Sequence, residues 1–337
     1  IVKNGDTVLK EGYTVTYSNN TNVGTAKATV TLGTDSTEVE FQITKDTKTA
    51  IEMADVSVTY GAAYTMTATA KTSAGNAITN GTIIIKYYTD ENCTAGETDT
   101  APTNVGTYYA KAVLTETNNY AGASKVAKIT ISNADFSVSA QGYDGVYDGS
   151  EHTITVTAAD AVITYSTDGT NYSSTNPSFT DAGTYTVYYK ATKANYNDVT
   201  GSVDVTISKA EQTISFASAT LTAHINAATA TNTLNHTVGN GTVTYSSSNK
   251  KVATVDENGQ VTIKGVGETT ITATAAEAKN YNSATATYTL TVSEHNYGEY
   301  VSNDDATCTT DGTKTATCTY DGCTVTDTVT DTGSAKG

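Results

Sequence analysis

The residues best suited to chemistry lie near the C-terminal end: His295, Cys308, Cys318 and Cys323. Thiolate and imidazole suit tetrahedral zinc, so the four together read as a candidate Cys3His site. Against it stands a disulfide with one cysteine left over, the usual state outside the cell. The disulfide is preferred, with metal second and free thiols third. A segment of about 40 residues buries too little to fold without a staple of one kind or the other. Cys93, in the polar run Asp90-Glu91-Asn92-Cys93-Thr94, reads as a lone thiol.

No catalytic residue can be assigned. His152, His224 and His236 are scattered and are expected to face solvent. No Gly-x-Ser-x-Gly elbow, Walker loop or His-Glu-x-x-His occurs, so the chain is expected not to be an enzyme. Asp168-Gly169-Thr170-Asn171 and Asp256-Glu257-Asn258-Gly259 offer oxygen ligands for calcium. A hairpin turn explains both without metal and is preferred. Zinc and calcium are the only cofactors left open. Tyr109 and Tyr188 could stack on sugars, but a strand residue covering its neighbours is the plainer reading.

The elements that must position these residues are strands. The 337 residues include 23 Tyr but 4 Phe and no Trp, with Thr, Val and Ile abundant. Branched and aromatic side chains pack well on a pleated surface. All 19 basic residues are Lys, and the net charge is −16. An acidic surface without Arg repels nucleic acid and lacks the usual reader of phosphates. No run approaches the ~18 apolar residues of a membrane span. Neither a signal peptide nor a sorting tail is recognisable, so the sequence reads as a piece of a longer protein.

Internal repeats organise the chain. Four turns each lead through a glycine into a strand: Asn22-Val23-Gly24-Thr25, Asn104-Val105-Gly106-Thr107, Asp181-Ala182-Gly183-Thr184 and Gly265-Val266-Gly267-Glu268. The glycines are 82, 77 and 84 residues apart. An Asn-Tyr pair follows the last three, placing Tyr120, Tyr196 and Tyr281 14, 13 and 14 residues on. The strands alternate as half-buried strands should, with Tyr185, Val187 and Tyr189 inward in the third copy. The same offsets give Tyr108, Ala110 and Ala112 in the second and Ala26, Ala28 and Val30 in the first. Asp256–Gly259 should turn a hairpin between 252–255 and 260–263.

The expected fold is all-β: tandem immunoglobulin-like β-sandwich modules in an elongated rod. The predicted modules are 1–46 (partial), 47–133, 134–210, 211–293 and a small Cys-containing module, 294–337. Linkers are nearly absent. At about 30 Å per module, five in line reach on the order of 150 Å.

The segments Tyr143-Asp144-Gly145-Val146-Tyr147-Asp148-Gly149, Asp181-Ala182-Gly183-Thr184-Tyr185 and Ala194-Asn195-Tyr196 make the third module resemble YDG/MBG-type bacterial Ig-like repeats. Such repeats occur in surface proteins of Gram-positive bacteria (Firmicutes). The second module is similar (MBG-type), and the first resembles the latter half of such a repeat. Tyr245-Ser246-Ser247-Ser248-Asn249 and Val252-Ala253-Thr254-Val255-Asp256-Glu257-Asn258-Gly259 make the fourth resemble bacterial Ig-like group 2 domains. The tail resembles a small Cys-containing repeat of the same proteins. That repeat often has Cys-x-x-Cys and a closing Gly-His. Here Cys318 and Cys323 are separated by four residues, and Gly333 is followed by Ser334.

The resemblance implies an extracellular structural stalk or filament segment, at the cell surface or secreted. The incomplete first module reads first as a truncation; the alternative is that a neighbouring chain supplies the missing strands by β-addition, building a filament. Partners would be neighbouring copies, other surface proteins or glycans, with no nucleic acid and no membrane span in this segment. Two alternatives stand beside it: an adhesin for glycan or host protein, and an accessory region of a secreted carbohydrate-active enzyme.

Overall fold

The computed structural model describes residues 1–227 and 230–337. Among them there is no helix; the chain is a tandem series of immunoglobulin-like β-sandwich modules. It divides into two compact units.

The first unit holds Ile1–Val138, with Ala158–Val162 and Ala191–Val199. Its second module is complete. Val56–Thr59, Ala123–Ser132, Gly106–Leu114 and Ile83–Tyr88 form one sheet in that order. The first pair is parallel, with Ile129 opposite Val56, and the others are antiparallel. Ala50–Glu52 pairs with Thr69–Lys71 in a small second sheet. Alternate residues of the long strands face inward, so Ala110, Ala112, Leu114, Ala127, Ile129 and Ile131 meet Ile51, Met53, Met66 and Ile78 in a buried apolar core.

The first module keeps only part of this plan. Thr14–Ser18, Gly24–Leu32 and Asp35–Ile43 form a three-stranded antiparallel sheet. They correspond to Ile83–Tyr88, Gly106–Leu114 and Ala123–Ser132, and no described strand takes the place of Val56–Thr59. Asp35–Ile43 is therefore an edge, with Val39 54% and Phe41 38% exposed. Ala26 is the one fully buried hydrophobic side chain among this module's described residues.

The second unit holds Ser139–Thr157, Ile163–Lys190 and Thr200–Gly337. In the third module the sheet order Tyr143–Val146, Val199–Ser208, Gly183–Thr192, Val162–Ser166 repeats that of the second. Its parallel pair places Tyr143 opposite Val205. The chain squeezes between strands at Gly142, where an added Cβ would sit 2.2 Å from the Asp204 carbonyl oxygen. The fourth module repeats the order with Thr220–His224, Ala284–Ser293, Gly267–Ala275 and Val243–Ser247. The hairpin forms as expected, Ala253–Val255 against Val261–Ile263. Beneath it Val252, Ala253, Val261, Ile271, Tyr288, Leu290 and Val292 pack together. One buried polar group, Gln212, ties this core's edge: its amide donates to Ala276 O (2.8 Å) and Asn282 O (2.7 Å). Its oxygen accepts from Gly241 N at 2.8 Å. The tail is a three-stranded sheet of Val301–Ser302, Gly312–Thr317 and Thr326–Asp331, with Ala316 and Cys318 buried.

Candidate functional site

Two constructions stand out: a joint built three times from the same residue positions, and a cluster of cysteine and histidine side chains near the end of the chain.

The joint uses the Asn-Tyr pairs. In the first unit, Asn119 O accepts from Asp46 N at 3.0 Å, and Asp46 O accepts from Ala121 N at 2.9 Å. The Asn119 side chain reaches the other way. Its Oδ1 accepts from Val23 N at 2.9 Å, and its Nδ2 donates to Asn22 Oδ1 at 3.0 Å. Asn195 repeats each contact. It pairs with Ala134 through the backbone, accepts from Val105 N at 3.0 Å and donates to Asn104 Oδ1 at 3.3 Å. In the second unit Asn280 pairs with Ala210, accepts from Ala182 N at 2.8 Å and donates to Asp181 Oδ1 at 3.0 Å. One asparagine thus holds the connector with its backbone and the preceding module's turn with its side chain.

The turn that precedes each glycine strand presents a backbone N–H that the asparagine oxygen accepts, and the residue before it presents a side-chain oxygen to which the asparagine amide donates. Aromatic contacts reinforce two joints. Tyr60 meets Tyr196 edge to face at 5.4 Å, and Tyr147 meets Tyr281 at 5.5 Å. Tyr60 and Tyr147 each follow the parallel strand directly and donate their N–H to Ser132 O and Ser208 O. Lys45 pairs with Glu116, and Lys209 with Glu277, at matching positions of the first and third joints. Asp181 is held below the usual carboxylate range, first by its hydrogen bond from Lys279 and then by Asn280.

The cluster gathers His224 from the fourth module with His295, Cys318 and Cys323. One ligand atom each of His224, His295 and Cys323 lies within 4.8 Å of the other two. His295 Nδ1 is 3.5 Å from Cys318 Sγ and 3.5 Å from Cys323 Sγ. His224 Nδ1 faces Ile225 O at 2.9 Å, and its ring stacks on Tyr320 at 4.9 Å. The Cys323 thiol is pushed up, first by its hydrogen bond with Cys318 and then by desolvation. The four cysteines are free thiols. Of the four residues singled out in the sequence, the fold brings together His295, Cys318 and Cys323. Cys308 is exposed in the turn closed by Thr307 and Thr310, apart from the group. His224 was the ligand type missed. It lies 71 residues before His295, and only the strand Thr220–His224, ending beside the tail, brings it near.

The remaining candidates fall elsewhere. His152 and His236, like His224 in the cluster, are half-buried rather than solvent-facing, because each rests on a neighbour. His152 stacks on Tyr143 at 3.7 Å and meets Asp148 at 3.0 Å, while His236 Nε2 meets Gln212 Oε1 at 3.1 Å. Asp168 Oδ1 accepts from Thr170 N and Asn171 N, both at 2.8 Å, and Oδ2 accepts from Asn171 Nδ2 at 2.7 Å. These bonds, led by Asn171 N–H, drive its carboxyl far below the ordinary range. Asp256 Oδ1 accepts from Asn258 N and Gln260 N. Both loops thus turn their carboxylates onto their own backbone. Tyr188 is half-buried over Gly169. Tyr109 lines a polar groove with Asp55, Glu91, Lys125 and Lys128. Cys93 is half-buried in its loop, its thiol pushed up by burial.

Residues 229–277 match the family model described as the intimin immunoglobulin-like domain, so the fourth module is similar to bacterial Ig-like repeats. No curated protein matches the chain in sequence. Among solved structures, the protocadherin GammaB4 extracellular domain is 12% identical with a TM-score of 0.31, over 89% of this chain and 63% of that one. Domains 1–6 of the surface layer protein SbsC are 15% identical (TM-score 0.27), covering 92% of this chain and 49% of that one. BT4661, a SusE-like surface-located polysaccharide-binding protein from Bacteroides thetaiotaomicron, is 13% identical (TM-score 0.22), covering 93% of this chain and 60% of that one. The chain spans less than two thirds of the length of each of these three. No helix among the described residues is long and apolar enough to cross a membrane.

Proposed function

We propose that this chain is a structural segment of an extracellular bacterial surface protein, holding successive Ig-like modules in fixed relation rather than catalysing a reaction. The thrice-built asparagine joint carries the reading. A chain selected only to string independent binding modules together has no use for the same two-way clamp at each connector. The resemblance of the third module's residue pattern to YDG/MBG-type repeats of Gram-positive surface proteins supports this reading. Backbone 15N relaxation tests the proposal. Modules sharing a joint should tumble with one correlation time, and the triple variant Asn119→Ala, Asn195→Ala, Asn280→Ala should loosen them. Independent tumbling in the unaltered chain would defeat the reading.

Assembly adds to this role. The free edge of Asp35–Ile43 is where a parallel strand would pair, as Val56–Thr59 does in the second module. That strand comes from preceding residues of the polypeptide or from a neighbouring copy. Sedimentation separates the two sources: concentration-dependent association supports the copy, and a strictly monomeric chain excludes it.

The adhesin reading has one observation in its favour, the Tyr109 groove, where an aromatic ring lies among acidic and basic groups. Binding on a glycan array that is lost in Tyr109→Ala would favour it over the purely structural role.

A further inference from the structure

We propose that His224, His295, Cys318 and Cys323 form a tetrahedral Cys2His2 site for a zinc-type divalent cation, and that the metal fastens the tail to the fourth Ig-like module.

The distances fit a metal. Sulfur at about 2.3 Å and nitrogen at about 2.05 Å from one tetrahedral centre stand about 3.5 Å apart. His295 Nδ1 stands at that distance from both sulfurs. Ligand atoms of His224, His295 and Cys323 lie within 4.8 Å of one another, so drawing them to tetrahedral spacing takes at most about 1.3 Å, within a side-chain rotation. Cys318 joins them through its 3.5 Å contact with His295 Nδ1. Both imidazoles are also oriented as ligands. Metal-bound histidines donate their other N–H to a carbonyl or similar acceptor, which fixes the tautomer. His224 Nδ1 faces Ile225 O at 2.9 Å, leaving Nε2 for the metal. His295 turns Nδ1 to the thiols and Nε2 to the Asn226 side-chain amide at 3.4 Å. Interchanging the amide N and O of Asn226 supplies the acceptor. Binding displaces two thiol protons to solvent, and two thiolates then neutralise the dication.

The placement gives the site its role. The tail follows the fourth module where an asparagine joint would otherwise stand. The earlier sockets offer Asn22, Asn104 and Asp181 as side-chain acceptors, but the fourth offers Gly265, which has none. Val266 at that turn is 43% exposed. Ile225 occupies the position of Tyr60 and Tyr147, donating its N–H to Ser293 O at 2.9 Å. His224 is therefore one residue from the point where the earlier modules make their aromatic contact with the next. A metal bound by one residue of the module and three of the tail replaces the missing clamp.

Cobalt(II) titration of the reduced, oxygen-protected chain tests the proposal. One equivalent should bind with the visible ligand-field bands of a tetrahedral site and a near-ultraviolet thiolate charge-transfer band, and zinc should displace it. Cys308→Ser should behave as the parent. Cys318→Ser should lose the spectrum, and His224→Ala should weaken binding at least tenfold. In the unaltered protein with zinc, long-range 1H–15N spectra should show His224 Nε2 and His295 Nδ1 shifted to metal-bound values, a readout free of any folding defect in the variants. The proposal is overturned by the absence of stoichiometric binding, by loss of binding in Cys308→Ser, or by an unshifted His224 Nε2. It is equally overturned if Cys318 and Cys323 remain disulfide-bonded under mild reduction.

Discussion

Replacing Asn280 with alanine removes the side-chain half of one joint and leaves its backbone pairing with Ala210 in place. Asn280 lies outside the left-handed region, so alanine fits its backbone. The substitution deletes the acceptor for Ala182 N, a half-buried bond of 2.8 Å, and the donor to Asp181 Oδ1 at 3.0 Å; the first is the bond that exchange at Ala182 reads. A neutral bond of this kind contributes about 1 kcal/mol net, because water replaces part of what is lost. That energy corresponds to about a fivefold rise in the opening equilibrium at 25 °C. The ion pair of Lys279 with Asp181 remains, so the turn itself should keep its shape. Amide hydrogen exchange reads the effect directly. Ala182 N–H should exchange about five times faster, while the amide of Leu290, deep in the fourth module's sheet, should not change. Asn280→Asp is the companion: it keeps an acceptor but sets a second carboxylate against Asp181, and it too should release Ala182. If Ala182 exchange is unchanged in both, the side-chain clamp does not exist in solution. If Leu290 accelerates equally, the loss is one of general stability and the joint argument fails.

Other consequences can be measured on the same material. Asn195 has φ 69°, so Asn195→Ala adds left-handed strain of about 1 kcal/mol to the loss of its bonds. Asn195→Gly should release Val105 exchange with less loss of thermal stability than Asn195→Ala. Gly142→Ala should lower the melting temperature of the third module by overpacking worth about 2 to 3 kcal/mol, since the clashing Asp204 oxygen belongs to a paired strand; an unchanged melt contradicts the strand spacing. Gln212→Ala leaves Ala276 O, Asn282 O and Gly241 N without partners and should destabilise the fourth module by about 3 kcal/mol or more, read by chemical denaturation. Asp168 has a folded pKa below its unfolded one. Its stabilisation is therefore complete above the ordinary carboxylate range and is lost as pH falls through the folded value. In Asp168→Asn, acid unfolding of the third module should become less steep, and carboxyl 13C titration should find Asp168 ionised well below the usual Asp range.

Much of the fold was legible because its signals are local and periodic. Val187, Ala110 and Ala26 are buried where period-two alternation places them, and Asp256–Gly259 turns the hairpin its composition requires. The Asn-Tyr pairs marked the repeat in sequence, but their work was hidden. A side chain that spans two modules bonds to a turn more than 90 residues away, as Asn119 does to Val23. The signal that could have found it is the matched recurrence of Asn22, Asn104 and Asp181 with Asn119, Asn195 and Asn280. The cysteine cluster was half legible for the same reason. Nearness in sequence grouped Cys308 with Cys318 and Cys323, yet the turn at Thr307–Thr310 carries it away, and the strand ending at His224 brings in a residue that spacing had set aside.

The joint also bears on how such a chain can change length. Each clamp uses one position on a loop and two on a turn, and every complete module that carries both can follow any other. Duplication or deletion of whole modules therefore keeps each seam intact, because the new neighbours meet with the residues the old ones used. The fourth module breaks that rule at Gly265. A copied repeat inserted after it would find half its socket missing, so in-frame expansion is accommodated upstream of the fourth module and resisted behind it.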